Sequence, residues 1–120
     1  MPHLLVQVTC GPEDPTRAAL AFLVARTALE SGHEVTVFVV GDAVQLLRRP
    51  TLDSVVGVGT GPLRESFDAV VAGGARLLAS TLSGRARGLS DSDLDGLPIQ
   101  LAFPADLVAA TMEADRVVTY

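Results

Sequence analysis

The run Glu34 to Val40, EVTVFVV, is β-branched or aromatic at every position after its first. A strand with one wet face alternates apolar and polar residues. A run without that alternation has both faces covered, which is the situation of a strand inside a parallel sheet with helices above and below it. His3 to Thr9 (HLLVQVT), closed by Cys10-Gly11-Pro12, reads as an earlier strand of the same kind. Ala75 to Ala79, released by Gly73-Gly74, reads as a third.

Helical segments fill the intervals. Asp14 caps a helix from about Pro15 to Ser31, with Pro15 in its first turn and Gly32 beyond its end. Its apolar residues run nearly all the way round, so it packs on the sheet and on something else, either deep in the monomer or against another subunit. Gly41-Asp42 breaks the second strand. A short helix from about Ala43 to Leu47 follows, then Arg48-Arg49-Pro50 and an irregular stretch through Gly57, Gly59 and Gly61. The next helix spans about Pro62 to Ala72. Past the third strand the sequence predicts a loop holding Ser80, Ser83, Arg85 and Arg87 before Gly88-Leu89. Ser90 to Asp93 caps one helical turn, Pro98 to Ala102 reads as a short strand whose proline places it at a sheet edge or at the strand's first residue, Pro104 to Glu113 is helical, and Arg116 to Tyr120 closes the chain as a strand. Strands alternating with helices define an α/β fold: a single domain over residues 1–120, three-layered and doubly wound, with a mainly parallel sheet of about five strands.

Composition excludes several classes of function. The net charge is −5 and all nine basic residues are arginines scattered along the chain, which argues against direct nucleic-acid binding. No apolar run approaches the ~20 residues needed to span a bilayer and no secretory signal pattern opens the chain, so a cytoplasmic, membrane-free protein is expected. A 48% hydrophobic content in 120 residues leaves more apolar surface than a small monomer hides easily, which predicts a homo-oligomer. The one cysteine excludes an intrachain disulfide and a cysteine-rich zinc site.

In an open parallel sheet, ligands bind beyond the carboxyl ends of the strands. Cys10-Gly11, Gly41-Asp42 and Ser80 to Arg87 follow the three central strands and are expected to meet there. The candidate ligand-binding residues are therefore Gly11, Gly41, Asp42, Ser80, Ser83, Arg85 and Arg87. Cys10 is the candidate reactive group: the adjacent helix dipole favours a thiolate, whereas Glu13 and Asp14 oppose one, and a small buried hydrophobe is the plainer reading. Neither serine has a base near it in sequence. There is no GxGxxG and no phosphate-loop lysine, so no nucleotide or other cofactor is expected; His3 and His33 lack metal-ligand spacing, so no metal is expected either.

The strand followed by CGPEDPTRA, the second strand followed by GDAV, the segment GPLRESFDAVVAGGARLLASTLSGRARGL and the ending ADRVVTY together resemble the DsrE/DsrF-like family of sulfur-relay and tRNA-thiolation subunits. The resemblance implies assembly as trimers or hexamers. It also implies a persulfide-carrying cysteine in the segment after the third strand, where this chain has Ser80 and Ser83. A serine oxygen cannot hold a sulfane sulfur. The function expected is therefore that of a non-catalytic oligomer that binds a small ligand or a protein partner at the strand ends. The alternative is a persulfide carrier that uses Cys10, or one that pairs with a cysteine-bearing paralogue or sulfur-transfer protein.

Overall fold

The computed structural model describes residues 2–120. Five parallel strands form its sheet: β1 (His3–Val8), β2 (Glu34–Val39), β5 (Arg76–Ser80), β6 (Ile99–Ala102) and β7 (Arg116–Thr119), in the order β6-β5-β2-β1-β7. The run that begins at Glu34 is a central strand. Val35, Val37 and Val39 point into one apolar cluster and Phe38 into another on the opposite face, which is why its sequence does not alternate. Pro98 directly precedes β6, an edge strand, as the missing amide of proline requires.

The first face carries α1 (Pro15–Glu30), α2 (Arg49–Ser54) and α3 (Leu63–Ala72) over the larger cluster. A two-stranded antiparallel ribbon, β3 (Val56–Gly57) with β4 (Gly61–Pro62), lies beside them. The second face carries α6 (Pro104–Glu113), over a smaller cluster of Leu5, Phe38, Leu78, Ala102 and Ala110. The two faces make the three-layer, doubly wound arrangement that the alternating pattern predicts.

Most of the apolar girth of α1 is buried within the monomer, Leu20 being 37% exposed. It packs on β1 and β2 beneath it and on α3 and β3 beside it, with the Phe22 and Phe67 rings 5.8 Å apart. Exposed apolar residues gather on the α6 side, where Phe103, Val108, Met112 and Val117 are 48%, 57%, 80% and 42% exposed, while Val56 and Val58 of the ribbon and Leu82 of α4 are exposed elsewhere.

Two local expectations are corrected. The stretch beginning at Thr51, which reads as irregular, is helix α2 from Arg49, with Pro50 in its first turn, where a proline costs no intrahelical bond. The expected loop after the third strand is helix α4 (Thr81–Ala86), which begins with no intervening residue. Ser80 ends β5 and caps α4, its hydroxyl accepting the Ser83 amide at 3.1 Å. Gly84 and Gly88 have helical roles. Gly84 faces Leu89 inside the turn, and Gly88, at φ +69°, ends the helix while the Leu89 amide returns to the Gly84 carbonyl at 2.9 Å. A one-turn helix, α5 (Asp91–Leu94), follows under the Ser90 cap.

Candidate functional site

The three segments expected to meet at the carboxyl edge do meet. Beyond β2 the chain enters a 3-10 turn, Gly41–Leu47, and the Gly41 amide donates to the Ser83 hydroxyl at 2.9 Å. Arg87 donates to the Asp42 carboxylate at 3.0 Å and to the Ser83 carbonyl at 3.2 Å. Gly11 closes the edge from the side of β1: a Cβ there would overlap the Asp42 carbonyl oxygen, so the approach of the two loops requires glycine.

This geometry gives the predicted residues an internal occupation. Ser80 caps α4, Ser83 holds the 3-10 turn, and Asp42 and Arg87 pair across the same joint. The Gly11 amide donates to the Glu13 carboxylate at 2.5 and 2.8 Å. Of the predicted group, Arg85 alone has an exposed side chain with no hydrogen-bond or carboxylate partner among the described residues.

Sequence reasoning passed over Arg48, which organises the joint from beneath. Its guanidinium donates to Gln45 Oε1 at 2.6 Å, to Asp93 Oδ2 at 3.0 Å and to the Arg87 carbonyl at 2.7 Å, tying the 3-10 turn to α4 and α5. The Asp93 carboxyl is held below the usual carboxylate range, first by the Ser90 amide and hydroxyl and then by Arg48. A planar fork of donors facing three acceptors is what arginine supplies and lysine does not.

Cys10 sits half-buried against the main cluster. Burial pushes its thiol up, Asp14 and Glu13 push in the same direction as expected of these carboxylates, and together they outweigh its backbone hydrogen bond and the Arg17 charge. No histidine reaches this edge. His3 begins β1 and His33 leads into β2, so both lie at the amino ends of the strands, where His3 Nε2 is 2.7 Å from the hydroxyl of the buried Thr36. Those two histidines and Arg76 line an open cleft of about 480 Å³ at that opposite end. Among the described residues no three His, Cys, Asp or Glu side chains cluster to hold a metal, and no helix is long and apolar enough to cross a membrane.

A smaller cavity, about 140 Å³, lies at the carboxyl edge between α4, α5 and β6. Thr81, Arg85, Leu89, Asp91, Leu94 and Leu101 line it. Sequence reasoning missed Thr81, because nothing in a primary sequence marks a hydroxyl as buried.

A parallel five-stranded sheet sandwiched by helices, with capped turns crowded at its carboxyl edge, defines a small doubly wound α/β protein. The profile of the DsrE/DsrF-like family matches residues 3–120, and the chain belongs to that family. Among solved structures it is similar to the YchN protein from E. coli, with a TM-score of 0.80 at 17% identity over all of both chains. It is also similar to BT1422, a conserved protein of unknown function from Bacteroides thetaiotaomicron, with a TM-score of 0.73 at 14% identity over 98% of this chain and 94% of that one. At those identities the likeness is one of fold. No curated protein sequence matches.

Proposed function

We propose that this DsrE/DsrF-like protein is a non-catalytic member of its family that binds a small ligand or a protein partner at the carboxyl edge of its sheet. One observation carries the reading. The segment after β5, where the family resemblance calls for a sulfur-bearing cysteine, has Ser80 and Ser83, and both hydroxyls are engaged in bonds that hold α4 in place. A serine nucleophile needs a base, and the protein's histidines stand at the other end of the strands. Cys10, the remaining thiol, is held protonated by burial and two carboxylates, which disfavours the thiolate that sulfur transfer requires.

The exposed apolar residues on and around α6 support assembly as a homo-oligomer, trimer or hexamer, with that face covered. Light scattering tests this, and a lone monomer would count against it.

The functional reading is tested by incubating the protein with a cysteine desulfurase and cysteine, then measuring intact mass. The expected result is no persulfide. A stoichiometric one-sulfur adduct that disappears in Cys10→Ser would overturn the reading in favour of a carrier. Co-purification from the native host with a cysteine-bearing paralogue would instead place the chain as the thiol-free subunit of a hetero-oligomer.

A further inference from the structure

We infer that Leu89 to Asp95, between α4 and β6, is an acidic strap that opens as a unit from the carboxyl edge and is latched shut by Arg48 and Arg49. Burial is the first ground. No residue from Arg85 to Leu101 is buried, and α5 has no buried side chain of its own. The connection from β2 to β5, by contrast, buries Leu46, Leu47, Leu52 and Leu63. Segments that bury little apolar surface open at lower free energy than the core they cover. The strap's own apolar hold is Leu89 and Leu94, each half-buried against the main cluster.

The second ground is where its hydrogen bonds go. Within the strap the Asp93 amide donates to the Ser90 carbonyl at 3.0 Å and the Ser90 amide to the Asp93 carboxylate at 2.8 Å. Among the described residues, the bonds that leave Ser90 to Asp95 for another element all run to one dipeptide. Arg48 donates to the Asp93 carboxylate at 3.0 Å, and Arg49 donates to the Asp93 carbonyl at 3.3 Å and to the Asp95 carbonyl. The charges match this arrangement, since Asp91, Asp93 and Asp95 lie in the strap and the two arginines in the element that holds it.

The third ground is at its ends and beneath it. Gly88 and Gly96 bound the strap at φ +69° and +78°, and short element-terminal positions of this kind absorb hinge motion. The cavity of about 140 Å³ lies between Ser90, Asp91 and Leu94 of the strap and the residues of α4 and β6, so the strap is not packed flush on either. A single helical turn does not persist alone in water, so opening melts α5 and frees its amides. It also uncovers Leu89 and Leu94 beside the half-exposed Leu101 of β6 and releases the two arginines. The strap thereby controls access to the β5–β6 part of the carboxyl edge.

As a gate on a binding edge the strap rests on the function proposed above, but its test does not. A persulfide on Cys10 would defeat the non-catalytic reading and leave the strap standing, and the reverse also holds. Native-state hydrogen exchange of the full chain, read residue by residue by NMR, is expected to show the Asp93 and Leu97 amides exchanging together. Both should be at least about a hundredfold less protected than the Leu78 amide inside β5. Arg48→Gln removes the charge-assisted bond to Asp93 and is expected to speed exchange at both amides by about tenfold. Arg49→Gln, at an exposed position that leaves the fold intact, is expected to speed both in the same proportion as each other. Strap amides as protected as Leu78, unequal responses of Asp93 and Leu97, or exchange unchanged in Arg49→Gln would overturn the inference.

Discussion

Replacing Ser83 with alanine tests directly whether the serine after β5 is a structural tie. The substitution removes the acceptor of the Gly41 amide, whereas the cap from Ser80 survives because it uses the Ser83 backbone. A buried donor stripped of its partner costs about 1–3 kcal/mol. Gly41 and Ser83 are both half-buried, so water reaches the freed amide and the cost falls near the lower end, about 1–1.5 kcal/mol. Alanine in the helix returns up to about 0.5 kcal/mol of propensity. The net expected loss is about 0.5–1 kcal/mol, and each kcal/mol lowers Tm by roughly 3–5 °C for a chain of this length. Urea denaturation measures it, at one fixed protomer concentration because any assembly adds concentration-dependent stability. Ser83→Thr, which keeps the hydroxyl, is expected to lose less. If Ser83→Ala proves as stable as the parent, the hydroxyl does not tie the 3-10 turn to α4 and the structural account of that serine fails.

Gly11→Ala is expected to destabilise by about 1–3 kcal/mol, because its Cβ meets the Asp42 backbone carbonyl, which cannot swing aside as a side chain can; thermal melts check this. The Cys10 thiol is expected to alkylate with a pH midpoint above that of a free thiol. Because its folded pKa is raised, the linked stability is fully present below the unfolded value and is lost as pH rises through the folded one; Cys10→Ala should flatten that alkaline decline. For Asp93 the sign is opposite: its lowered pKa contributes stability above the ordinary carboxylate range, lost as pH falls through the folded value, and Asp93→Asn should remove that acid dependence from denaturation curves. If the proposed homo-oligomer forms through α6, Met112→Glu, at an 80% exposed position, is expected to lower the mass seen in light scattering with helicity unchanged, and an unaltered mass would exclude this face as the contact.

The sequence by itself determined most of the element order, the parallel sheet and the place of Pro98 ahead of β6, while α2, α4 and the β3–β4 ribbon did not show in it. Those features depend on local chemistry: unbroken β-branched runs, Asp14 and Pro15 at a helix start, and Pro98 ahead of an edge strand. It also marked the segments that converge, because a strand's carboxyl end fixes where the next residues must go. What those residues do there was decided only by tertiary structure. Ser80 reads as a loop hydroxyl until the chain turns at once into α4, where its oxygen becomes a cap. Ser83 and Asp42 meet their partners across more than forty residues of sequence, and no local pattern encodes such a pairing. Arg48 looks like one of two adjacent surface arginines until three elements fold around its guanidinium. Thr81 is an ordinary hydroxyl residue in sequence, and only the packed chain buries its side chain and leaves the hydroxyl unpaired. Periodicity and capping are short-range and legible; burial and hydrogen-bond satisfaction are properties of the packed chain, and they assign the side chains at this edge their parts.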